Sequence, residues 1–196
     1  TVLSRGLGDV YKRQGKTCSP EGIQIRSLIH CNDDGLLATC NPNPLDQQIC
    51  RVTVSGETTL ITETAGIHEA NANDSLMVIQ HRSMDFNGVK TGFYKDNELT
   101  NEIPDHSETP NITLNYFFHK SGELDLETAI LLPTYHNGET TLPVLLDPYG
   151  GPHAQRVRKA RGLFGVSQWF ADQGFAVVIT DGRGTPGRSP NFEREV

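Results

Sequence analysis

Short apolar segments alternate with turn sequences from residue 22 onward, and they show no helical period. Such segments at roughly ten-residue spacing are typical of antiparallel β-sheet proteins. The predicted strands are Ile23–His30, Leu36–Cys40, Ile49–Val54, Thr58–Thr62, Leu76–His81, Thr113–His119 and Leu124–Leu132. Turns are predicted between them at Asn32–Gly35, Ser55–Glu57, Asn87-Gly88 and Lys120–Glu123. A propeller, a sandwich and an open sheet all fit this pattern, and the repeated β-meander favours propeller blades.

The pattern changes after residue 141. Leu142–Asp147 predicts a buried strand that stops abruptly at Pro-Tyr-Gly-Gly-Pro, and Phe175–Thr180 predicts a second buried strand. Between them, Gly162–Gln173 predicts an amphipathic helix, with Gly174 placed to cap its C-terminus. The apolar stripe of this helix consists of Leu163, Val166, Trp169 and Phe170. A strand, a helix and a strand in this order predict a βαβ unit with a site at the strand ends.

A glycine-rich loop follows the second buried strand. Gly182–Gly187 matches G-x-G-x-x-G, which makes nucleotide binding one interpretation. That motif places its last glycine in the first turn of a helix, whereas here Ser189-Pro190 predicts a helix start two residues later, and Pro186 stiffens the loop. A structural turn is therefore favoured, in which Asp181 and Arg183 pair with each other or hydrogen-bond to loop backbone.

Composition narrows the classes of partner. The chain has 24 acidic and 17 basic residues, a formal charge of −7, and no basic block, which argues against nucleic acid and anionic membranes. Its apolar runs are shorter than the ~20 residues of a membrane span. The cysteines are Cys18, Cys31, Cys40 and Cys50. They form no Cys-x-x-Cys pair, and we interpret Cys31, Cys40 and Cys50 as reduced, half-buried strand residues rather than as a disulfide set or a metal site, which favours a cytoplasmic protein. We expect no cofactor.

Tyr149, in the Pro-Tyr-Gly-Gly-Pro turn, is the candidate catalytic residue. The pattern alone favours a packed aromatic at a strand end. The functional interpretation is that its phenol donates a hydrogen bond to a developing oxyanion, while Gly150 and Gly151 let the backbone approach a ligand and Pro152 fixes the turn. His153 is either a cleft residue or, more simply, a polar turn residue. The chain contains no Gly-x-Ser-x-Gly nucleophile motif.

Three segments carry a resemblance to a known family. They are Leu-Leu-Asp-Pro-Tyr-Gly-Gly-Pro-His-Ala-Gln at 145–155, Trp-Phe-Ala-Asp-Gln-Gly-Phe at 169–175 and Asp-Gly-Arg-Gly-Thr-Pro-Gly-Arg at 181–188. Together they resemble the prolyl oligopeptidase family of serine peptidases, and in particular its members similar to dipeptidyl-peptidase IV and acylaminoacyl-peptidase. The specific match covers residues 126–196. The β-rich stretch before it is compatible with the family's β-propeller without being distinctive.

The resemblance implies a mixed fold, in which the end of a β-propeller is followed by the first strands and helix of a truncated α/β-hydrolase domain. Residues 15–112 would belong to the propeller and residues 113–196 to the hydrolase domain. Residues 1–14 resemble a translated sequencing-adaptor tail, and we expect the chain to be an internal fragment of a longer protein.

The resemblance also implies that the parent hydrolyses peptides, often after proline, through a Ser–Asp–His triad and an acyl-enzyme. Tyr149 would be the oxyanion-hole donor, while the triad would follow downstream, so we expect this fragment to be inactive. No Glu-Glu pair occurs in the chain, which leaves dipeptidyl-, acyl- and endopeptidase activity open. The expected partner is a peptide substrate, and self-association of the intact parent is left open. The rival hypothesis is a triad-less protein whose propeller binds other proteins.

Overall fold

The computed structural model describes residues 22–108, 110–151 and 153–195, so the predicted tail at residues 1–14, Cys18 and Pro152 lie outside the described residues. Within these described residues, twelve strands form three four-stranded sheets. The first sheet contains β1 (Gln24–Asn32), β2 (Gly35–Asn41), β3 (Gln48–Thr53) and β4 (Thr58–Leu60). The second contains β5 (Ile67–Ala72), β6 (Met77–Arg82), β7 (Lys90–Lys95) and β8 (Glu98–Ile103). Both are antiparallel meanders, as the apolar pattern predicts.

Three strands of the second sheet, β5, β7 and β8, were not predicted from the sequence. Every residue of β8 is exposed, so the strand has no apolar alternation to reveal it. The turn between β7 and β8 is formed by Asp96 and Asn97, whose φ angles of 53° and 64° are those a two-residue hairpin turn requires. Asn87-Gly88 does lie between two paired strands, β6 and β7, but within a longer loop rather than a tight turn.

The first two sheets meet where β5 begins. Gln47 forms an isolated parallel bridge with Ile67, and the carboxylate of Asp46 accepts a hydrogen bond of 2.8 Å from the amide of Gly66. Gly66 has a φ of +135°, and a Cβ there would lie 2.2 Å from the carbonyl oxygen of Arg82. Only glycine fits this junction. Apolar residues of both sheets then share one core, formed by Leu37, Ile49, Met77 and Ile79.

The third sheet has the spatial order β11-β12-β10-β9. Its strands are β9 (Tyr116–Ser121), β10 (Leu126–Leu131), β11 (Val144–Leu146) and β12 (Ala176–Thr180). β11 and β12 are parallel and are joined through α1 (Gly165–Asp172), which confirms the predicted βαβ unit. Gly174, with a φ of +102°, follows α1 as its predicted cap. None of the helices in the described part of the chain is long and apolar enough to cross a membrane.

The apolar stripe of α1 faces solvent rather than the core. Its members Val166 and Trp169 are 72% and 58% exposed, whereas Phe164 and Ala171 are buried against the third sheet. The buried face of the helix also contains Gln168, whose amide donates to the carbonyl of Leu132 and accepts from the amide of Asn115. A polar side chain can occupy the buried face because its hydrogen bonds are satisfied there. The apolar pattern of the sequence therefore did not identify the side of the helix that faces the core.

The prediction that Leu142–Asp147 forms a buried strand is wrong, because β11 lies at the edge of the third sheet. Val144 and Leu146 are 61% and 68% exposed, while Leu145 packs into the core. Strand register places one apolar row across the face opposite α1: Phe117, Ile130, Val178 and Leu146. The edge and this face are therefore apolar surface open to solvent.

We expect this surface to make the 196-residue chain self-associate. The double substitution Leu146→Lys and Phe117→Thr should shift sedimentation profiles from oligomers toward monomer, because it breaks the exposed apolar row at both ends. Ile103→Lys is the matched control, since Ile103 is 49% exposed on another edge strand whose residues are all exposed. Equal shifts from the control and the double variant would contradict the expectation.

The cysteines of the described residues are free. Cys40 on β2 and Cys50 on β3 are fully buried, which agrees with their interpretation as reduced strand residues. Cys31 on β1 is exposed rather than half-buried. Contact with Cys50 and burial both raise the pKa of the Cys40 thiol, so this group is a poor nucleophile.

Candidate active-site loop

Tyr149 lies just beyond the carboxyl end of β11. Because β11 and β12 are parallel, their carboxyl ends lie side by side, and the segments that follow them emerge at the same end of the third sheet. The phenol of Tyr149 is 37% exposed and folds over Gly151, where an added Cβ would lie 3.4–3.5 Å from the ring and the hydroxyl. The side chain is thus not packed in the core, and Gly151 leaves room for the ring.

An ion pair closes the base of the Tyr149 loop, residues 148–155. The guanidinium of Arg156 binds both carboxylate oxygens of Asp147, with Nη2 at 2.7 Å and Nη1 at 3.3 Å. The amide of Asp147 donates to the carbonyl of Val178 on β12 at 2.9 Å. Asp147, which precedes the loop, is therefore attached both to the sheet and to Arg156, which follows the loop; we call these two residues the first and second foot of the loop.

Asp181 holds the second foot of the loop. It directly follows β12 and is 5% exposed. Its carboxylate accepts hydrogen bonds from the backbone amides of Arg156 (2.8 Å) and Val157 (3.1 Å). Burial raises the pKa of Asp181, although the two amides and the nearby guanidinium groups favour its charged form. The carboxylate of Asp181 thus bonds to backbone outside the glycine-rich loop rather than within it as predicted, and Arg183 is exposed.

The glycine-rich loop uses its backbone within the protein. The amide of Gly187 donates to the carboxylate of Glu193 at 3.1 Å, and a Cβ on Gly187 would lie 2.9 Å from Oε1 of Gln155. The helix that follows, α2 (Pro190–Glu193), has only four residues; Ser189 caps it by accepting from the amide of Phe192. The carboxylate of Glu193 already accepts a hydrogen bond from a loop amide that a phosphate would otherwise bind, which favours the structural turn over nucleotide binding.

Residues 155–161, which we call the strap, run from the Tyr149 loop across the other two sheets. Lys159 binds the buried carboxylate of Asp46 at 2.6 Å, and Arg158 donates to the side chain of Gln47 at 3.1 Å. Burial opposes ionisation of Asp46, but hydrogen bonds from Lys159, Asn43 and Gly66 hold its pKa below the usual value. The strap reaches the second sheet at Ser83, whose carbonyl accepts from the amide of Arg161 at 3.0 Å. The strap thus connects the Tyr149 loop to the segments that border the other two sheets.

The structure brings four residues together at the carboxyl ends of β11 and β12: Asp147, Tyr149, Arg156 and Asp181. The sequence prediction singled out only Tyr149 for catalysis. Asp147 and Asp181 each end an apolar run just before a turn, which is the signal that could have identified them. His153 lies exposed on the same loop. Across residues 22–108, 110–151 and 153–195, no cluster of three or more His, Cys, Asp or Glu side chains could hold a metal ion.

No protein-family model matches the chain. Among solved structures, the chain is similar to dipeptidyl peptidase 4 from Porphyromonas gingivalis, with a TM-score of 0.78 and 17% identity over 92% of this chain and 27% of that one. It is also similar to a candidate dipeptidyl aminopeptidase IV from Bacteroides ovatus, with a TM-score of 0.72 and 20% identity over 92% of this chain and 28% of that one. The chain therefore has the mostly β fold of a segment that makes up little more than a quarter of each of these proteins.

Proposed function

We propose that this chain is part of a serine peptidase related to dipeptidyl peptidase IV, which hydrolyses peptides through an acyl-enzyme. The first two sheets would be blades of a β-propeller, which are typically four-stranded meanders. The third sheet would open the α/β-hydrolase domain, since it combines an antiparallel hairpin with a parallel β11–β12 pair joined through α1. The similarity to two dipeptidyl peptidase structures supports the relationship to such peptidases.

The observation that carries the proposal is the place of Tyr149. In α/β-hydrolases, the loop after the third strand supplies part of the oxyanion hole. β11 is the third strand of its sheet in chain order, and Tyr149 follows it on a loop clamped at both feet. Its partly exposed phenol is free of the core and close to the strand ends, where a hydrolase binds its substrate.

In the proposed reaction, a serine hydroxyl attacks the scissile carbonyl and a histidine takes its proton. The carbonyl oxygen becomes an oxyanion, to which the Tyr149 hydroxyl donates a hydrogen bond. The amide after the nucleophile donates a second one. When the tetrahedral intermediate collapses, the histidine returns the proton to the leaving amine, and water then hydrolyses the acyl-enzyme.

The sheet geometry restricts where the nucleophile can lie. The two edges of the third sheet are β11 and β9. Because neighbouring strands are about 4.8 Å apart, β9 is roughly 14 Å from β11, too far for a residue beside it to share an oxyanion with Tyr149. The strand that carries the nucleophile would therefore pair with the free edge of β11. Such a strand would also cover Val144 and Leu146, which are now exposed.

Covalent labelling tests the proposal. We expect a fluorophosphonate probe to label one serine in the complete peptidase, and the same protein to release p-nitroaniline from a Xaa-Pro substrate. The 196-residue chain should remain unlabelled, because it contains no Gly-x-Ser-x-Gly motif. A complete protein that is neither labelled nor active would contradict the peptidase and favour the triad-less interaction protein.

A further inference from the structure

Arg156 connects both feet of the Tyr149 loop. Its guanidinium binds the carboxylate of Asp147, and its own amide binds the carboxylate of Asp181. We propose that Arg156 and Asp181 are positioning residues that place the Tyr149 hydroxyl for catalysis. The inference rests on the function proposed for Tyr149 and adds to it the residues on which that function depends.

Asp181 provides the rigid attachment. Both of its carboxylate oxygens are used, one for each of two consecutive amides, in a site that is 5% exposed. The amide of Asp181 itself donates to the carbonyl of Glu127 on β10 at 3.0 Å. Because the carboxylate is fixed to the sheet and its hydrogen bonds are charge-assisted, the second foot cannot move without exposing buried polar groups.

Arg156 transfers this rigidity to the first foot. Asp147 lies two residues before Tyr149, and the bidentate fork fixes both its distance from Arg156 and its orientation. The ring of Tyr149 lies beside Gly151 within the loop, where an added Cβ would be 3.4 Å from it, so holding the two ends of the loop would set the position of the phenol. Displacements of about 1 Å can reduce catalysis by up to a hundredfold, which makes this placement consequential.

A purely structural ion pair makes a different prediction. The side chains of Arg156 and Asp147 are 33% and 38% exposed, and exposed pairs contribute little to stability. If the pair only stabilised the fold, its loss would have the same effect whether or not the Tyr149 hydroxyl is present. If it positions Tyr149, its effect must disappear with that hydroxyl.

A double-mutant cycle in the complete peptidase separates these cases. We expect Arg156→Ala to lower kcat about tenfold or more with little change in KM, and to have no further effect in a Tyr149→Phe background. Arg156→Lys keeps the positive charge and the backbone amide but loses the bidentate contact of the guanidinium with Asp147. Its kcat should lie between those of wild type and Arg156→Ala. Asp181→Asn should lower kcat in the same hydroxyl-dependent way, since its NH₂ group would face one of the two amides.

Hydrogen exchange supplies a readout independent of activity. The backbone amides of residues 149–151 and 153–155 should exchange faster in Arg156→Ala than in wild type. Arg82→Ala is the matched control, because it removes a similarly exposed arginine–carboxylate pair, with Glu69 on the second sheet, and should leave both kcat and loop exchange unchanged. Equal effects of Arg156→Ala in the two backgrounds, or no effect in either, would overturn the positioning role alone. A Tyr149→Phe variant with wild-type kcat would overturn the proposed function and the positioning role with it.

Discussion

Replacement of Tyr149 by Phe should lower the acylation rate of the complete peptidase by about two to three orders of magnitude. The substitution keeps the ring that lies over Gly151 and removes only the hydroxyl. An oxyanion forms after substrate has bound, so the lost hydrogen bond raises the barrier and leaves the affinity for substrate nearly unchanged. Single-turnover kinetics with a Xaa-Pro chromogenic substrate would measure the two quantities separately.

Tyr135→Phe is the control for this experiment. Tyr135 is also exposed, and its hydroxyl lies 3.5 Å from the carbonyl oxygen of Asp172, beyond the C-terminal end of α1 and away from the Tyr149 loop. Its loss should leave acylation unchanged. Wild-type acylation in Tyr149→Phe, with the protein folded, would eliminate the oxyanion role.

Acidification should destabilise the second sheet through a pair of stacked histidines. His68 and His81 lie opposite each other on β5 and β6, with ring centroids 4.0 Å apart. Burial and the neighbouring His81 lower the pKa of His68 from its ordinary value of 6.5 to about 4, and burial also lowers the pKa of His81. Between pH 6.5 and 4 the unfolded chain therefore binds more protons than the folded one, and stability falls as the pH falls.

The expected loss between pH 7 and pH 4.5 is about 2–3 kcal/mol in the free energy of unfolding, measured by urea denaturation. The charged groups that face the pair are Asp46 for His68, and Lys90 and Asp85 for His81. His68→Gln should flatten the pH dependence in this window, because a neutral amide replaces the titrating ring. His119→Gln, which removes an exposed histidine of β9, is the control. An unchanged slope in His68→Gln would show that other groups control acid stability.

Sequence patterns identified strands that contain a short run of apolar residues, as in β2, β3 and β12. They missed β8 because all of its side chains face solvent, and they did not reveal the orientation of α1 because its buried face includes Gln168. These are cases in which tertiary contacts rather than local pattern decide the outcome.

The candidate site likewise combines a residue that local sequence reveals with contacts that only the tertiary fold creates. The Pro-Tyr-Gly-Gly-Pro sequence was enough to predict that Tyr149 follows a strand. The contact between Arg156 and Asp181 joins residues 25 positions apart, and it exists because β11 and β12 pair in parallel. A partner that depends on strand pairing cannot be identified from either residue's local sequence.

The strap has a consequence for the order in which the protein folds. In the first two sheets every strand pairs with its neighbour in the chain, so these meanders can form from local contacts. The strap contacts to Gln47 and Asp46 instead join residues 111 and 113 positions apart. Contacts of such long sequence separation form slowly, because a large loop must close before they stabilise anything. Docking of the strap should therefore be a late step, and the Tyr149 loop that leads into it would be among the last parts of the protein to become ordered.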